Sequence, residues 1–258
     1  MNVRKAHQRV IMEKMEIEES HNLFGKWWED IDISKPNAII KQVIRQQALP
    51  VIIKYEWLGT LPANCNNYCG LYFGSALAGV VCFVPSKFGG RYTLWNYPAI
   101  CLGRGACVHW CPDWGGSYLI QNSLKLLFKN KNPMYVVAFS DWRAGEIGTI
   151  YQACNWVYLG HKDTREWIDK KGKRWDINTA VTRCVSGFQR RNNPELKATK
   201  EQIKAEEQKM IYSGYKLVAG PTRGKYATVV GKKNKTYREM VKLLKKNSKP
   251  YPKRNNAT

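Results

Sequence analysis

The chain has 258 residues and is strongly basic, because 42 Lys and Arg against 20 Asp and Glu give a net charge of +22. Its 44% hydrophobic content, with 10 Trp and 14 Tyr, is enough for a folded core and excludes a wholly disordered chain. No run of 18 apolar residues is present, which argues against a membrane-spanning helix, and Met1–Ser20 lacks the apolar centre of a signal peptide. We therefore expect a cytoplasmic protein whose eight cysteines are reduced thiols.

Helical and strand patterns alternate through the first 160 residues. Val10–Ile17 predicts a short helix within a polar appendage, residues 1–35, that Trp27 and Trp28 dock onto the rest. The three-to-four spacing of apolar residues predicts a helix over Asn37–Gln47, which Pro50 ends. The predicted strands are Val51–Trp57, Cys69–Phe73, Ala78–Val84, Tyr97–His109, Tyr135–Ser140 and Val157–Leu159. The other predicted helices are Tyr118–Asn130, with Ser117 as its N-cap, and Ile147–Asn155.

This order predicts an α/β fold in which residues 36–160 form one mixed sheet with helices on both faces. Most strands follow one another as antiparallel neighbours, and a turn is expected at Gly74 and Ser75. The strand ending near His109, the helix after it and the buried strand Tyr135–Ser140 make one parallel crossover in the middle.

Beyond Gly160 the chain becomes a basic C-terminal extension, residues 161–258, with 26 basic and 9 acidic side chains. It is predicted to contain a hairpin over Glu166–Asp176, a charged helix over Pro194–Tyr212 and a second hairpin over Lys216–Val230 that turns at Gly220-Pro221. Nucleic acid is the expected partner, because cations that neutralise phosphates release counterions. A solvated tail or an acidic membrane surface are the alternatives. The candidate phosphate contacts are Lys225, Lys232, Lys233, Lys235, Arg238, Lys242, Lys245, Lys246, Lys249, Lys253 and Arg254.

A glycine pair, Gly115 and Gly116, precedes Ser117 at the start of the helix Tyr118–Asn130. Free backbone N–H groups at a helix N-terminus can cradle a pyrophosphate or another anion. Turn geometry alone also explains two glycines in such a loop.

The densest motif is Ser140-Asp141 followed, from Gly148 to Gly160, by Gly-Thr-Ile-Tyr-Gln-Ala-Cys-Asn-Trp-Val-Tyr-Leu-Gly. This run resembles the phage Mom DNA-modification proteins, which are built on the GNAT acyltransferase fold. Three further stretches resemble the same family in the same order, and these are Lys54–Pro62, Leu102-Gly103-Arg104 and the pair Gly224-Lys225-Tyr226 with Pro250-Tyr251-Pro252-Lys253. The chain departs from the family pattern at Glu56 and Glu146, where the family has or often has His, and at Trp57, which replaces Tyr.

The resemblance implies a transferase that converts adenine in DNA to a carbamoylmethyl derivative on its exocyclic amine and so protects phage DNA from restriction. We expect Asp141, Tyr151, Arg104 and Glu56 to carry the catalysis and Asn155, with the glycine loop, to bind the donor. The donor is expected to be an acyl-CoA or an activated glycine such as an aminoacyl-tRNA, so that DNA and possibly tRNA are partners. The residues also allow plainer roles, namely a turn cap for Asp141, a core aromatic for Tyr151 and an ion pair of Arg104 with Glu56.

Two other groups of residues invite a functional interpretation. Trp57, Tyr72, Trp95 and Trp110 can stack on an extruded base, although core packing explains each of them as well. Cys65, Cys69, Cys107, His109 and Cys111 can make a four-ligand zinc site, but their spacings differ from those of zinc knuckles and we expect no metal. A GNAT enzyme acting on protein or RNA, and a non-catalytic nucleic-acid-binding module, remain alternative functions.

Overall fold

The computed structural model describes residues 7–21, 26–56, 58–62, 65, 67–85, 93–177, 179–185 and 198–253. They form a mixed α/β fold around a nine-stranded sheet, which confirms the predicted class. The strands are β1 (Ala38–Val43), β2 (Asn67–Phe73), β3 (Ala76–Pro85), β4 (Thr93–Leu94), β5 (Tyr97–Cys107), β6 (Met134–Asp141), β7 (Val157–Ile168), β8 (Arg174–Asp176) and β9 (Lys216–Val230). The α-helices in this part of the chain are α1 (His7–Ser20), α2 (Arg45–Tyr55), α3 (Gly115–Phe128), α4 (Thr149–Ala153), α5 (Thr179–Cys184), α6 (Lys200–Tyr212) and α7 (Lys235–Lys246). Within the ranges described, no helix has the length and apolar character needed to cross a membrane.

The sheet has the strand order β1-β2-β3-β5-β6-β9-β7-β8, with β4 beside β5. The ladders from β1 to β5 are antiparallel, and β5 and β6 are parallel. The predicted crossover through α3 is therefore confirmed. β9 joins the sheet next to β6, so that a strand from late in the chain lies at its centre.

Strand β6 separates two hydrophobic cores, because its side chains alternate between the faces of the sheet. Val136 and Ala138 belong to the larger cluster, which contains buried residues of α2 and α3. Tyr135 and Val137 belong to a second cluster, which contains Met240 of α7. Both faces of the sheet therefore carry helices, as predicted.

The basic region after residue 160 is divided between two compact units. One unit comprises Met1–Gly160 and Gly224–Thr258, and the other comprises His161–Arg223. The sequence placed all of residues 161–258 in one extension, whereas the structure groups the last 35 of them with the core. The reason lies in β9 and α7, which supply Ala227, Val229 and Met240 to the second cluster.

The smaller unit has its own core and a cavity. Trp167, Ala180 and Met210 form the buried cluster. The cavity has a volume of about 620 Å³ and is lined in part by Trp167, Glu207 and Tyr215.

The predictions for residues 37–57 are wrong in both type and order. The apolar residues interpreted as a helix over 37–47 form strand β1, and residues Val51–Tyr55 of the predicted strand form the second half of helix α2. Pro50 lies inside α2 and does not end a helix. Pro50 has no N–H, so the helix lacks one backbone hydrogen bond. The burial of Ala48 and Ile52 contributes favourable free energy that offsets this loss.

The predicted hairpin over Lys216–Val230 is also wrong, since these residues form the single strand β9. Gly220 does not turn the chain. It permits close approach to β7, because a Cβ at this position would lie 2.6 Å from Thr164 Oγ1. The Thr164 hydroxyl donates to the carbonyl of Pro221 at 2.8 Å.

Other local predictions agree with the structure. The hairpin at Lys171-Gly172 joins β7 to β8, with Ile168 opposite Arg174. The charged helix corresponds to α6, and the predicted start at Pro194 lies outside the described residues. Helix α3 begins at Gly115, three residues before the predicted start at Tyr118.

Candidate active site

The central strands β5 and β6 separate at one end. They pair at three successive positions, the last of which joins Cys101 to Val137. β5 then continues to Cys107 and β6 to Asp141, and the described residues contain no further pair between these two strands. A gap between two central parallel strands exposes backbone and side chains of both, which is where α/β sheets commonly hold ligands.

A β-bulge lies on the β5 side of this gap. Cys82 of β3 pairs with Arg104, and Phe83 pairs with Leu102, so the register passes over Gly103. A bulge turns the following side chain away from the regular alternation. It therefore sets the direction of Arg104.

The Arg104 guanidinium lies 3.7 Å from the carboxylate of Glu56, which is 8% exposed. The same Glu56 oxygen accepts hydrogen bonds from the backbone N–H groups of Leu58 at 2.8 Å and Gly59 at 3.1 Å. Arg104 in turn donates to the carbonyl of Thr60 at 3.2 Å. Burial raises the pKa of Glu56, and Arg104 and the two N–H groups oppose that rise. The predicted ion pair is present and fixes both side chains.

Asp141 ends β6 and is 9% exposed. One of its carboxylate oxygens accepts a hydrogen bond from the Arg143 N–H at 3.0 Å, so Asp141 caps the 3-10 turn Trp142–Ala144. The other oxygen lies 4.0 Å from the Arg143 guanidinium. The predicted turn-cap role is therefore confirmed. It also places a buried carboxylate at the end of the strand that borders the gap.

Glu146 interacts electrostatically with three of the four predicted catalytic residues, namely Glu56, Asp141 and Tyr151. Its N–H donates to the Asp141 carbonyl at 3.2 Å. Burial raises the pKa of Glu146 to about 7, and the charges of Glu56 and then Asp141 contribute to that rise. Glu146 also contributes to the raised pKa of Tyr151, whose main cause is burial. A half-buried carboxyl group with a raised pKa therefore lies close to Glu56, Asp141 and Tyr151.

Tyr151 is placed by two other aromatic rings. It packs on Trp156, with ring centroids 5.3 Å apart, and on Tyr226 of β9 at 5.2 Å. The Tyr226 hydroxyl donates to the carbonyl of Ile147 at 2.5 Å and accepts from the Gln152 side chain at 3.3 Å. The wholly buried Tyr226 thus holds both ends of the segment from Ile147 to Gln152, which carries Tyr151 and directly follows Glu146.

One known protein family matches most of the chain. Residues 37–253 match the Mom protein family. The chain belongs to this family. Membership supports a role in phage DNA modification. No curated protein matches the chain.

Among solved structures, the chain is similar to a conserved protein of unknown function from Enterococcus faecalis V583, described as a probable N-acyltransferase. The two are 13% identical, with a TM-score of 0.32. The match covers 52% of this chain and 35% of that chain, so it spans about a third of the structure's length.

In this Mom family member, the glycine pair Gly115 and Gly116, predicted to bind an anion, is tightly packed. Helix α3 begins at Gly115, and Ser117 is not its N-cap, since its hydroxyl donates to the Trp114 carbonyl at 3.0 Å. A Cβ at Gly115 would lie 2.4 Å from Cys111 Sγ, and one at Gly116 would lie 3.0 Å from Ile150 Cδ1. Close packing therefore accounts for both glycines. Donor binding at this helix end stays a prediction.

Asn155, the fourth predicted donor-binding residue, is exposed directly after α4. Its φ of 57° places it in the left-handed region, which Asn tolerates better than most residues. Its conformation ends the helix and lets the backbone N–H of Trp156 donate to the Tyr151 carbonyl at 2.9 Å. A role in donor binding is a prediction here as well.

The predicted phosphate contacts of the Mom family chain fall into two groups. Lys225 of β9 is partly buried, and burial lowers its pKa. The others are exposed, on α7 or beside it, and they are Lys232, Lys233, Lys235, Arg238, Lys242, Lys245, Lys246, Lys249 and Lys253. Arg254 lies outside the described residues.

The described aromatic candidates for base stacking are half-buried and pack against neighbouring side chains. Tyr72 lies under Lys41, Trp95 packs on Tyr135, and Trp110 packs on Trp27. Trp57 lies outside the described residues. These contacts agree with the alternative of packing, and base stacking by the three described rings stays a prediction.

The cysteines and His109 do not assemble as one cluster. The described residues contain no group of three or more His, Cys, Asp or Glu side chains arranged to hold a metal ion. The His109 ring instead forms a hydrogen bond with the Tyr55 hydroxyl, which lies 3.0 Å from Nδ1. The motif analysis did not include Glu146 and Tyr226 among the expected site residues. Both were visible in the sequence, Glu146 as a departure from the family's His and Tyr226 as part of a matching terminal motif.

Proposed function

We propose that this chain is a GNAT-type transferase that attaches an acyl-type group to the exocyclic amine of adenine in DNA. The observation that carries the proposal is the position of Glu146, whose pKa is raised to about 7 by burial and by the charges of Glu56 and Asp141, and whose own charge helps to raise the pKa of Tyr151. A general base works best when its pKa lies near the working pH. An adenine amine is a weak nucleophile because its lone pair is delocalised into the ring, so it needs such a base.

Each polar residue at the gap has a chemical task in this proposal. Glu146 removes the amine proton as the bond to the acyl carbon forms. Asp141 orients the amine, and Arg104, held by Glu56, stabilises charge that develops on the acyl oxygen. The Tyr151 phenol keeps its proton at neutral pH, because burial raises its pKa. It can therefore protonate the leaving group of the donor.

We further propose that the donor is an activated glycine, such as an aminoacyl-tRNA, and the final product a carbamoylmethyl adenine. Transfer forms the bond from the adenine nitrogen to the glycyl carbonyl and releases the carrier alcohol. The glycyl amine then attacks C6 of the base, and the bond from C6 to the original nitrogen breaks. That nitrogen becomes the amide of the product, which is an isomer of the first adduct. No oxidant or reductant is needed. The modified adenine would protect phage DNA from host restriction.

Access to the base requires that it leave the duplex, since the amine is paired inside it. Helix α7 supports this step by binding the DNA backbone. Its Met240 and Leu244 are buried, while Lys235, Lys242 and Lys246 are exposed. The Tyr135 hydroxyl donates to the Met240 carbonyl at 2.9 Å, which anchors the helix to β6. The cations therefore stand on a docked helix, where they are pre-arranged for a phosphate backbone.

The test is mass spectrometry of nucleosides from cells that express the full chain. Wild-type protein should produce a new adenine adduct, which Asp141→Ala and Glu146→Gln should abolish or reduce by at least about a hundredfold. Labelled glycine should place its carbon and nitrogen in the adduct. An adduct that carries no label would rule out the glycine donor, and no adduct at all would rule out the proposed reaction.

A further inference from the structure

Glu19 of α1 is half-enclosed by polar groups of α2. Its side chain is 15% exposed, and its Oε1 accepts hydrogen bonds from the Lys54 ammonium and, at 3.3 Å, from the Tyr55 hydroxyl. A carboxylate removed from water at this depth is costly unless several donors satisfy it. Lys54 and Tyr55 provide that compensation.

The same carboxylate faces the end of β5. Its Oε2 lies 3.8 Å from Nε2 of His109, which comes two residues after the last residue of β5. The His109 side chain is 1% exposed, and its Nδ1 lies 3.0 Å from the Tyr55 hydroxyl. The edge of its ring also packs against Trp28, with centroids 4.6 Å apart. Glu19, Tyr55 and His109 thus form a closed triangle between three segments of the chain.

Two corners of this triangle adjoin the candidate active site. Tyr55 is the last residue of α2, and Glu56 follows it as the C-cap, with its N–H bonded to the Ile52 carbonyl at 3.0 Å. His109 follows the strand that carries Arg104. A displacement of Tyr55 would rotate the last turn of α2 and change the direction of Glu56.

We propose that Glu19 is a positioning residue, which holds the end of α2 against the end of β5 and thereby keeps Glu56 paired with Arg104. The inference rests on the proposed function for its catalytic consequence. Glu19 lies outside the residues that match the family, which are 37–253. This chain therefore uses a segment that the family match does not include to stabilise its site.

A merely structural role for Glu19 would change stability alone, whereas positioning also changes the electrostatics of the site. The charge of Glu56 helps to raise the pKa of Glu146. If Glu56 turns away, Glu146 should titrate at lower pH. Glu19→Gln is the informative change, because it keeps the shape of the side chain and removes its charge.

The experiment follows the titration of Glu146 in the full chain by NMR of carboxyl-labelled glutamate, assigned with Glu146→Gln. In Glu19→Gln the midpoint of the Glu146 titration should fall by about half a pH unit. The expected cause is that the Glu56 carboxylate moves away, and a neighbouring charge shifts a pKa only when it lies within a few ångströms. Glu18→Gln is the matched control, because Glu18 is a more exposed residue of the same helix, paired with Lys14 at 3.4 Å, and it should leave the midpoint unchanged.

Two further variants keep the result decisive. Tyr55→Phe breaks the hydrogen bonds to Glu19 and His109 without removing a charge, and it should lower the Glu146 midpoint even if Glu19→Gln fails to fold. Glu19→Asp keeps the carboxylate, so its Glu146 midpoint should lie closer to the wild-type midpoint than that of Glu19→Gln does. An unchanged midpoint in a folded Glu19→Gln or Tyr55→Phe protein would overturn the proposal.

The amount of adenine adduct in cells gives the second readout. It should fall at least about threefold in Glu19→Gln and stay at the wild-type level in Glu18→Gln. If the wild-type chain makes no adduct, the proposed reaction fails while the NMR titration still decides whether Glu19 positions the site.

Discussion

Tyr226 fills the space that a side chain at position 148 would need. A Cβ built on Gly148 would lie 2.3 Å from Tyr226 Cε2 and 2.8 Å from its hydroxyl oxygen. The φ of Gly148 is 82°, a conformation that other residues adopt only with strain. The glycine at position 148 of the densest motif is thus explained by a tyrosine 78 residues later in the chain.

Gly148→Ala should therefore destabilise the protein and disturb the site. We expect a loss of about 2–4 kcal/mol in the free energy of unfolding, from overpacking and the left-handed backbone together. Gly172→Ala is the control, because Gly172 has a φ of 76° and a Cβ added there would meet no atom within 4 Å. It should cost only about 1 kcal/mol. Urea unfolding measures both, and equal losses would show that the Tyr226 contact is not the cause.

Glu146 should make stability depend on pH in a direction opposite to that of most carboxylates. Its folded-state pKa is raised from 4.5 to about 7, so the folded protein holds this proton more tightly than the unfolded chain. The resulting stability is present below about pH 4.5 and is lost as the pH rises to about 7. Glu146→Gln should therefore be more stable than wild type at pH 8, by about 1–3 kcal/mol, and no more stable at pH 4.5.

The measurement is the free energy of unfolding of both proteins at several pH values between 4.5 and 8. A difference that does not grow with pH would contradict the assigned pKa. Since Glu146→Gln should also abolish the adduct, a more stable but inactive protein would distinguish loss of a functional group from loss of fold.

The sequence indicated the residues that lie in one contiguous motif, and it offered the ion pair between Arg104 and Glu56, but it did not indicate that Glu146 lies near Glu56. Asp141 and Tyr151 share that motif, and the parallel crossover before it was visible as a glycine loop, a helix and a buried strand. The raised pKa of Glu146 comes first from its burial and then from the charge of Glu56, which follows the distant helix α2. Spacing along the chain carries no information about such a contact.

The errors in the fold have a similar origin. Ile39 and Ile40 occur in a spacing typical of a helix, yet strand β1 pairs them with Tyr72 and Leu71 of β2. Tertiary pairing outweighs local periodicity in such a short segment. Gly220-Pro221 is a common turn signal, but here the glycine serves a close contact between strands.

DNA binding should depend on the cations of α7 more than on other lysines. We expect the triple change of Lys242, Lys245 and Lys246 to Ala to lower the slope of log Kd against log salt concentration by about 2–3, since each lost phosphate contact contributes about 0.9. The charge-matched control is the triple change of Lys200, Lys204 and Lys209, which are exposed on α6. Fluorescence titrations with duplex DNA at several salt concentrations give both slopes. Equal slopes in the two triple variants would remove α7 from the interface.

The attachment of α7 to the sheet can be tested separately from its charge. Met240 is 0% exposed and packs in the cluster with Tyr135 and Ala227. Met240→Ala should therefore cost about 2–5 kcal/mol of unfolding free energy, as expected for a large side chain removed from a packed core. Lys242→Ala, on the exposed side of the same helix, should change stability by less than about 0.5 kcal/mol. If both changes were equally mild, α7 would be a solvated tail with no packing role, and the argument that it presents pre-arranged cations to DNA would fail.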